Sequence, residues 1–248
     1  MGVNGGIYNQ HEFSNFSTKL ILKVFVQDKF FKNELTFMKL QLLYNSCIKK
    51  SDWEIVMSVR VEKNKGVWTI IHSRPESRNA MDPSSAEELT DAFLEFNSSK
   101  DGKVAVFWGE GGAFCAGWDL KFASALNKDD PLKALDIDLD EKVLKDNNLL
   151  PRGPMGPSRL NLEKPVIGAI AGPAVAGGME LALWCDFRVM EVSSYLGVYC
   201  RRWGIPLIDG GTIRLPRIVG RGRALEIILT GRQVKQRSAW LWVFVNIS

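Results

Sequence analysis

The sequence predicts an α/β fold, and three observations carry the prediction. Short apolar runs of strand length, Val104–Trp108, Val166–Ile170 and Phe187–Met190, recur along the chain. Segments whose apolar residues fall at helical spacing lie between them. Turns bearing Gly and Pro punctuate the joins, which is the pattern of strands connected through helices.

Regular patterning begins at Met57. Ser58–Lys63 and Val67–His72 alternate and flank Asn64-Lys65-Gly66, a hairpin signal. Pro83–Asn97 reads as a helix with Asp82 as its N-cap and Pro83 in its first position. Its apolar stripe is Ala86, Leu89, Ala92, Phe93 and Phe96. Val104–Trp108 is a buried strand, Gly109–Gly112 a loop, and Trp118–Leu126 a helix. Residues 127–164 are charged, then rich in Pro and Gly around Pro151–Pro157, the composition of a mobile surface segment. Val166–Ile170 reads as a strand, Gly177–Trp184 as a buried helix, Phe187–Met190 as a strand, and Gly210–Val219 and Arg221–Leu229 as helices.

The two ends depart from this pattern. Residues 1–56 hold seven Lys, no Arg and five acids without a clear period, and read as a poorly packed extension. Transit peptides are Arg-rich and poor in acids, so that reading is weak here, and Met57 is a plausible alternative start. The end, residues 238–248, carries the apolar run Ala239–Ile247, which reads as a final strand with no evident partner. The expected division is an extension over 1–56, a core over 57–237 and a divergent tail over 238–248.

Composition narrows the function classes. A net charge of +4 on 248 residues is too mild for nucleic acid or a membrane surface as main partner. Cys47, Cys115, Cys185 and Cys200 lie far apart with no C-x-x-C pair, against a zinc site and a disulfide framework. They suit a reducing compartment, so a cytoplasmic or mitochondrial placement is expected. The only His residues are His11 and His72, which argues against metal sites or triads built on several His. The apolar run Pro165–Trp184 has the length of a membrane span, but it contains two Pro, four Gly and Glu180. A strand, a turn and a helix fit it better.

Two glycine-rich loops each follow a buried strand. The first is Gly109-Glu-Gly-Gly-Ala-Phe-Cys-Ala-Gly-Trp-Asp119, the second Gly172-Pro-Ala-Val-Ala-Gly-Gly-Met-Glu180. Neither has the spacing of a dinucleotide fingerprint or a P-loop. Both have the small residues that let a ligand approach the backbone closely. In the second, a Gly pair opens an apolar helix and leaves bare N–H groups at its positive end. Glu180 follows at once, in a run where a carboxylate is expensive to bury. Either Glu180 reaches solvent or its surroundings put it to use, as an acid beside an oxyanion site.

On these loops the chain resembles the enoyl-CoA hydratase/isomerase (crotonase) superfamily, from Met57 to about Gly231. The resemblance is carried by Ser73-Arg-Pro-Glu-Ser-Arg-Asn-Ala80, Phe114-Cys-Ala-Gly-Trp-Asp-Leu120, Lys164–Gly172, Ala176-Gly-Gly-Met-Glu-Leu-Ala182, Cys185-Asp-Phe-Arg188 and Gly204–Thr230. It implies a crotonase-like spiral of ββα turns, of the ClpP/crotonase kind, assembled as a homotrimer or hexamer. It implies an acyl-CoA or enoyl-CoA thioester as substrate, with coenzyme A part of that substrate, no tightly bound cofactor and no metal. By position, the backbone N–H groups of Trp118 and Gly177 form the oxyanion hole, and Glu180 is the first of two proton-handling glutamates. The segment Arg74–Ala80 lies along the coenzyme, so that Arg74, Glu76, Arg78 and Ala116 join Trp118 and Gly177 as substrate-facing residues, with Arg74 and Arg78 available to its phosphates.

The chain departs from that pattern in two places. Twenty residues after Glu180, where hydratases of the family carry the second acid, stands Cys200. Three readings of Cys200 stay open: a neutral wall residue, the mark of a single-acid enzyme, or a thiol activated by Arg201 and Arg202. Asp209 is either a second proton carrier or an Asp in a turn before Gly210. Beyond Arg237 the family's C-terminal helices have no counterpart, so the fold is expected to be C-terminally truncated. Two functions therefore stand side by side: an acyl-CoA enzyme of the hydratase/isomerase type, and a non-catalytic acyl-CoA binder or inactive truncated product.

Overall fold

The protein is described here in a computed structural model, for residues 57–125, 136–137, 140–146 and 150–242. The readings made for residues 1–56 and for the end of the apolar tail, residues 243–248, lie outside the described residues. Strands β1 (Val59–Asn64) and β2 (Val67–His72) form the expected hairpin, with Val59 opposite His72 and Asn64 opposite Val67. Lys65 and Gly66, at φ 46° and 88°, make a tight turn with both central residues left-handed, which suits the twist of a two-residue hairpin.

Helix α1 (Pro83–Ser98) begins where its signals place it: the Asp82 side chain accepts from the Ser85 amide and Pro83 opens the first turn. Its apolar stripe seats Phe93 and Phe96 against the sheet. The Phe93 and Phe107 rings lie 5.6 Å apart, Trp68 and Phe96 5.8 Å apart, and Phe107 and Phe114 4.9 Å apart. These tilted and edge-on contacts join the helix, β2, β3 (Val104–Gly109) and the first glycine loop into one core.

The remaining elements are α2 (Leu120–Ala125), α3 (Glu141–Lys145), β4 (Val166–Ile170), β5 (Pro173–Val175), α4 (Gly177–Trp184), β6 (Phe187–Met190) and β7 (Tyr195–Gly197). Then follow α5 (Cys200–Trp203), α6 (Gly211–Val219), α7 (Arg221–Thr230), β8 (Val234–Lys235) and α8 (Gln236–Leu241). The large sheet runs β1-β2-β3-β4-β6, parallel except for the β1–β2 pair; the small sheet runs β5-β7-β8, with β5 and β7 parallel. Successive turns of chain repeat one course. The chain leaves a strand of the large sheet, makes a short pairing in the second layer and enters a helix. This happens through β4, β5 and α4, again through β6, β7 and α5, and through single bridges at Met81–Trp118 and Cys115–Ala174. The apolar run Pro165–Trp184 is thus divided among β4, β5 and an eight-residue helix.

Three local expectations are corrected. Trp118 is not helical: the Asp119 carboxylate accepts from the amides of Lys121 and Phe122, so the helix starts after it, and Trp118 is held in a bridge to Met81. The Pro151–Pro157 stretch is not a mobile surface segment, since Gly153 through Ser158 are buried. Gly153 and Gly156 bond each other's backbone at 2.9 Å in both directions, and Gly156, at φ 77°, passes so close to Ala86 that a Cβ would lie 2.8 Å from its carbonyl oxygen. Pro and Gly here mark a tight turn driven into the core, not exposure. Finally, residues 236–241 form helix α8, not the start of a strand.

His72 ends β2 on the face shared with Trp68 and Ile70. It is wholly buried, and neither ring nitrogen has a partner among the described residues. Burial, helped by the Arg74 charge and opposed by Asp82, pushes its pKa down from 6.5 to about 4. The unfolded chain therefore takes up a proton near pH 6.5 that the folded one refuses. The stability contributed by neutral His72 is complete above that pH and is lost as pH falls toward 4, by up to about 3 kcal/mol. His72→Leu removes the orphaned ring, so its urea midpoint is expected to match or exceed the wild type at pH 7 and to lose this dependence between pH 6.5 and 4. An equal fall in both proteins would contradict the account.

Candidate active site

The two glycine loops meet edge to edge. Ala176 holds the left-handed φ of 53° that turns the chain from β5 into α4, and Gly117 lies against it at φ 95°. A Cβ on Gly117 would lie 2.8 Å from the Ala176 Cβ and 3.2 Å from the Gly177 nitrogen, so only glycine lets the loops approach. Met81 donates to the Gly117 carbonyl and Asp119 donates to the Met81 carbonyl, at 2.7 and 2.8 Å. Trp118 sits between these bonds, and its own amide finds no acceptor among the described residues. The amide of Gly177, first residue of α4, finds none either. Two open N–H groups on touching loops, one at a helix N-terminus, can receive an oxygen that gains negative charge.

Glu180 stands in the first turn of α4 and is only 2% exposed. Its Oε1 accepts from the amides of Asp209 and Gly211, at 3.0 and 2.8 Å; Oε2 has no donor among the described residues. Gly211 is glycine because a Cβ there would lie 2.8 Å from that Oε1. Burial raises the Glu180 pKa most, and the nearby Asp209 charge adds to it. The two amides and the Arg214 charge work against this, and the balance is about 7.

The structure brings Cys200 and Asp209 to the same place. Cys200 opens α5 and is 6% exposed; burial and the facing Glu180 charge push its thiol up to about 11. The activated-thiol reading is therefore overturned. Arg202 lies 3.5 Å over the Tyr199 ring and donates to the Gly231 carbonyl, and Arg201 is exposed. Asp209, 4% exposed, is more than an Asp in a turn. Its Oδ1 accepts from the Met155 amide at 3.1 Å and from the Ser158 hydroxyl, while its own amide holds Glu180. Burial raises its pKa, against Ser158, Met155, Arg159 and Arg214. Arg214 ties the Asp209 and Ser158 backbone carbonyls at 2.7 and 2.8 Å, and its charge works against the raised pKa of both acids.

The segment expected along the coenzyme runs beside the first loop, with Ala116 donating to the Arg78 carbonyl at 3.1 Å. Arg78 is exposed and left-handed at φ 55°, with no acid partner among the described residues. Glu76 is exposed, 3.9 Å from Arg74. Arg74 itself is not open to a phosphate. Its guanidinium bridges Asp82 and Asp119, each at 3.1 Å, and donates to the Ala80 carbonyl. Sequence reasoning missed Met155 and Ser158. Met155 walls the site, its Sδ 2.5 Å from where a Gly177 Cβ would stand. One large apolar residue between Pro154 and Gly156 was the available signal.

A spiral of strand–strand–helix turns with two open amides and a buried carboxyl at one seam defines the crotonase-fold class. The chain belongs to the enoyl-CoA hydratase/isomerase family, whose profile matches residues 62–246, past Gly231 where the sequence resemblance faded. It is 35% identical over 180 residues to YngF of Bacillus subtilis, which carries the same family name, covering 71% of this chain and 63% of that protein. Against carnitinyl-CoA dehydratase of Escherichia coli it is 33% identical over 191 residues, covering 76% and 67%. The enoyl-CoA hydratase EchA1 of Mycobacterium marinum superposes with a TM-score of 0.65 at 31% identity, covering 77% of this chain and 68% of that one. The Bacillus anthracis enoyl-CoA hydratase gives 0.64 at 32% identity, covering 76% and 68%. The chain thus spans about two thirds of the length of these relatives, and slightly less for YngF.

The close approach of α4 to the first loop is itself testable. In an ordinary helix Gly→Ala stabilises by about 1 kcal/mol. At Gly178 the new Cβ would stand 2.1 Å from the Cys115 carbonyl oxygen, which is backbone and cannot swing away. Gly178→Ala is expected to destabilise by about 1–3 kcal/mol in urea unfolding. A gain in stability would show that the loops have room to part.

Proposed function

We propose that the chain is an acyl-CoA enzyme of the enoyl-CoA hydratase/isomerase type, and that it moves a proton along an enoyl thioester. The amides of Trp118 and Gly177 receive the thioester oxygen. The Glu180 carboxylate takes a proton from the acyl chain, the charge passes to that oxygen as the enolate, and the protonated Glu180 returns the proton at the other allylic carbon. No water is consumed. A pKa near 7 suits a group that must both take and give a proton at neutral pH. Oε1 is anchored by two amides while Oε2 remains for the transfer.

The observation that favours this transfer over hydration is Cys200. Hydration needs a second group to activate water, and a thiol pushed up to about 11 stays protonated at neutral pH. Asp209 keeps its Oδ1 on the Met155 amide and the Ser158 hydroxyl, and it enters this reading as a neighbouring charge that raises the Glu180 pKa. The same residue supports a second reading, acyl-CoA binding without turnover. A homotrimer or hexamer accompanies the proposal, supported by the exposed Ile213, Leu225, Leu229, Trp240 and Leu241 on α6, α7 and α8.

A panel of 2-enoyl and 3-enoyl thioesters of coenzyme A, with product analysis, tests the proposal. Isomerisation is expected to exceed hydration, and Glu180→Gln to lower turnover by about 10²–10⁴. Cys200→Glu is expected to raise hydration. Unchanged turnover in Glu180→Gln would sink the role of that acid, and thioester binding with no product would leave the binder.

A further inference from the structure

Arg74 occupies a position that sequence reasoning gave to the coenzyme phosphates, yet its guanidinium is enclosed. One nitrogen, Nη2, lies 3.1 Å from both Asp82 and Asp119, and Nη1 donates to the Ala80 carbonyl. Two carboxylates and a carbonyl already surround the charge, and its side chain is 20% exposed. A phosphate approaching it would meet two anions first. Asn79 locks the segment further: its side chain accepts from the Arg74 amide and donates to the carbonyls of Glu110 and Ala113.

The groups that Arg74 gathers bracket one atom. Asp82 caps α1 and Asp119 caps α2, through the Ser85 amide and through those of Lys121 and Phe122. Between these caps run the two bridge bonds, Met81 to the Gly117 carbonyl and Asp119 to the Met81 carbonyl, with Trp118 between them. The direction of the Trp118 amide is therefore set by a bridge that Arg74 clamps from both sides.

We propose that Arg74 is a positioning residue for the oxyanion hole, holding the Trp118 amide in place through Asp119 and the Met81 bridge. The catalytic consequence rests on the acyl-CoA reading; the clamp itself does not. A misaligned donor weakens enolate stabilisation without touching the coenzyme, so the loss falls on turnover. It is expected to be about 10–100-fold, below the 10²–10³ typical of deleting a donor outright.

Arg74→Lys and Asp119→Asn test this in the full chain with three readouts. Amide hydrogen exchange without ligand is expected to speed by about tenfold at Met81 and Asp119. The β2, β3 and β4 amides should stay protected, which shows that the variants fold. With crotonyl-CoA bound, the infrared shift of the thioester carbonyl should shrink and kcat fall while KM stays within about twofold. Free coenzyme A should bind both variants as it binds the wild type. Weaker binding of free coenzyme A with an unchanged carbonyl band would make Arg74 a phosphate ligand and overturn the proposal. So would unchanged exchange at Met81 and Asp119. A wild-type protein that leaves the carbonyl band unshifted would refute the acyl-CoA reading, while exchange would still decide the clamp.

Discussion

The carboxyl of Glu180 is buried in an apolar seam and held there by two backbone amides, and much of the structure around it follows from that. Donors must come from the backbone of Asp209 and Gly211, so the start of α6 has to press against α4. Gly211 must lack a side chain for the same reason. Met155 and Ser158 must fold inward to close the seam and to hold Asp209, which explains why a stretch rich in Pro and Gly is buried. Arg214 then ties the backbone carbonyls of Asp209 and Ser158 together.

These contacts pull the carboxyl two ways. The amides, the helix end and Arg214 favour the anion; burial and Asp209 favour the neutral acid, and burial wins. An acid raised from 4.5 to about 7 contributes most to stability below pH 4.5, and that contribution is lost as pH rises to 7. The penalty reaches about 3 kcal/mol, a large part of a typical domain's stability. His72 behaves oppositely, since its neutral ring is favoured at higher pH. Glu180 and His72 are thus two buried groups with opposing pH dependence, and of the two it is Glu180 that stands on the helix opened by the Gly177 amide.

Much of this was legible in the sequence, where the signal is local. The Asp82-Pro83 start of α1, strands β4 and β6 and helix α4 were readable because caps, apolar runs and glycine turns act within a few residues. The open amides of Trp118 and Gly177 and the buried Glu180 lie where a Gly pair before an apolar helix and the family resemblance pointed. What was not legible depends on partners distant in the chain. Arg74 looks like a free cation until Asp119, 45 residues on, reaches it. Asp209 looks like a turn residue until Ser158, 51 residues away, bonds it. Cys200 leaves three readings open in the sequence, and the activated thiol among them falls once burial and the Glu180 charge are seen to raise its pKa. Composition reports turn chemistry well and burial poorly, which is why Pro151–Pro157 was misread.

The crotonase fold supplies two touching glycine loops, and the chain equips them with two open amides, the buried Glu180 with Asp209 beside it, and a neutral thiol at Cys200. The central claim is that Glu180 is a buried group poised near neutrality. Its titration can be read directly as the carboxyl infrared band present in the wild type and absent in Glu180→Gln, followed from pH 4 to 9. The account predicts a midpoint near 7. A midpoint near 4.5, the ordinary value for a solvated glutamate, would mean that the seam is open to water and would contradict it.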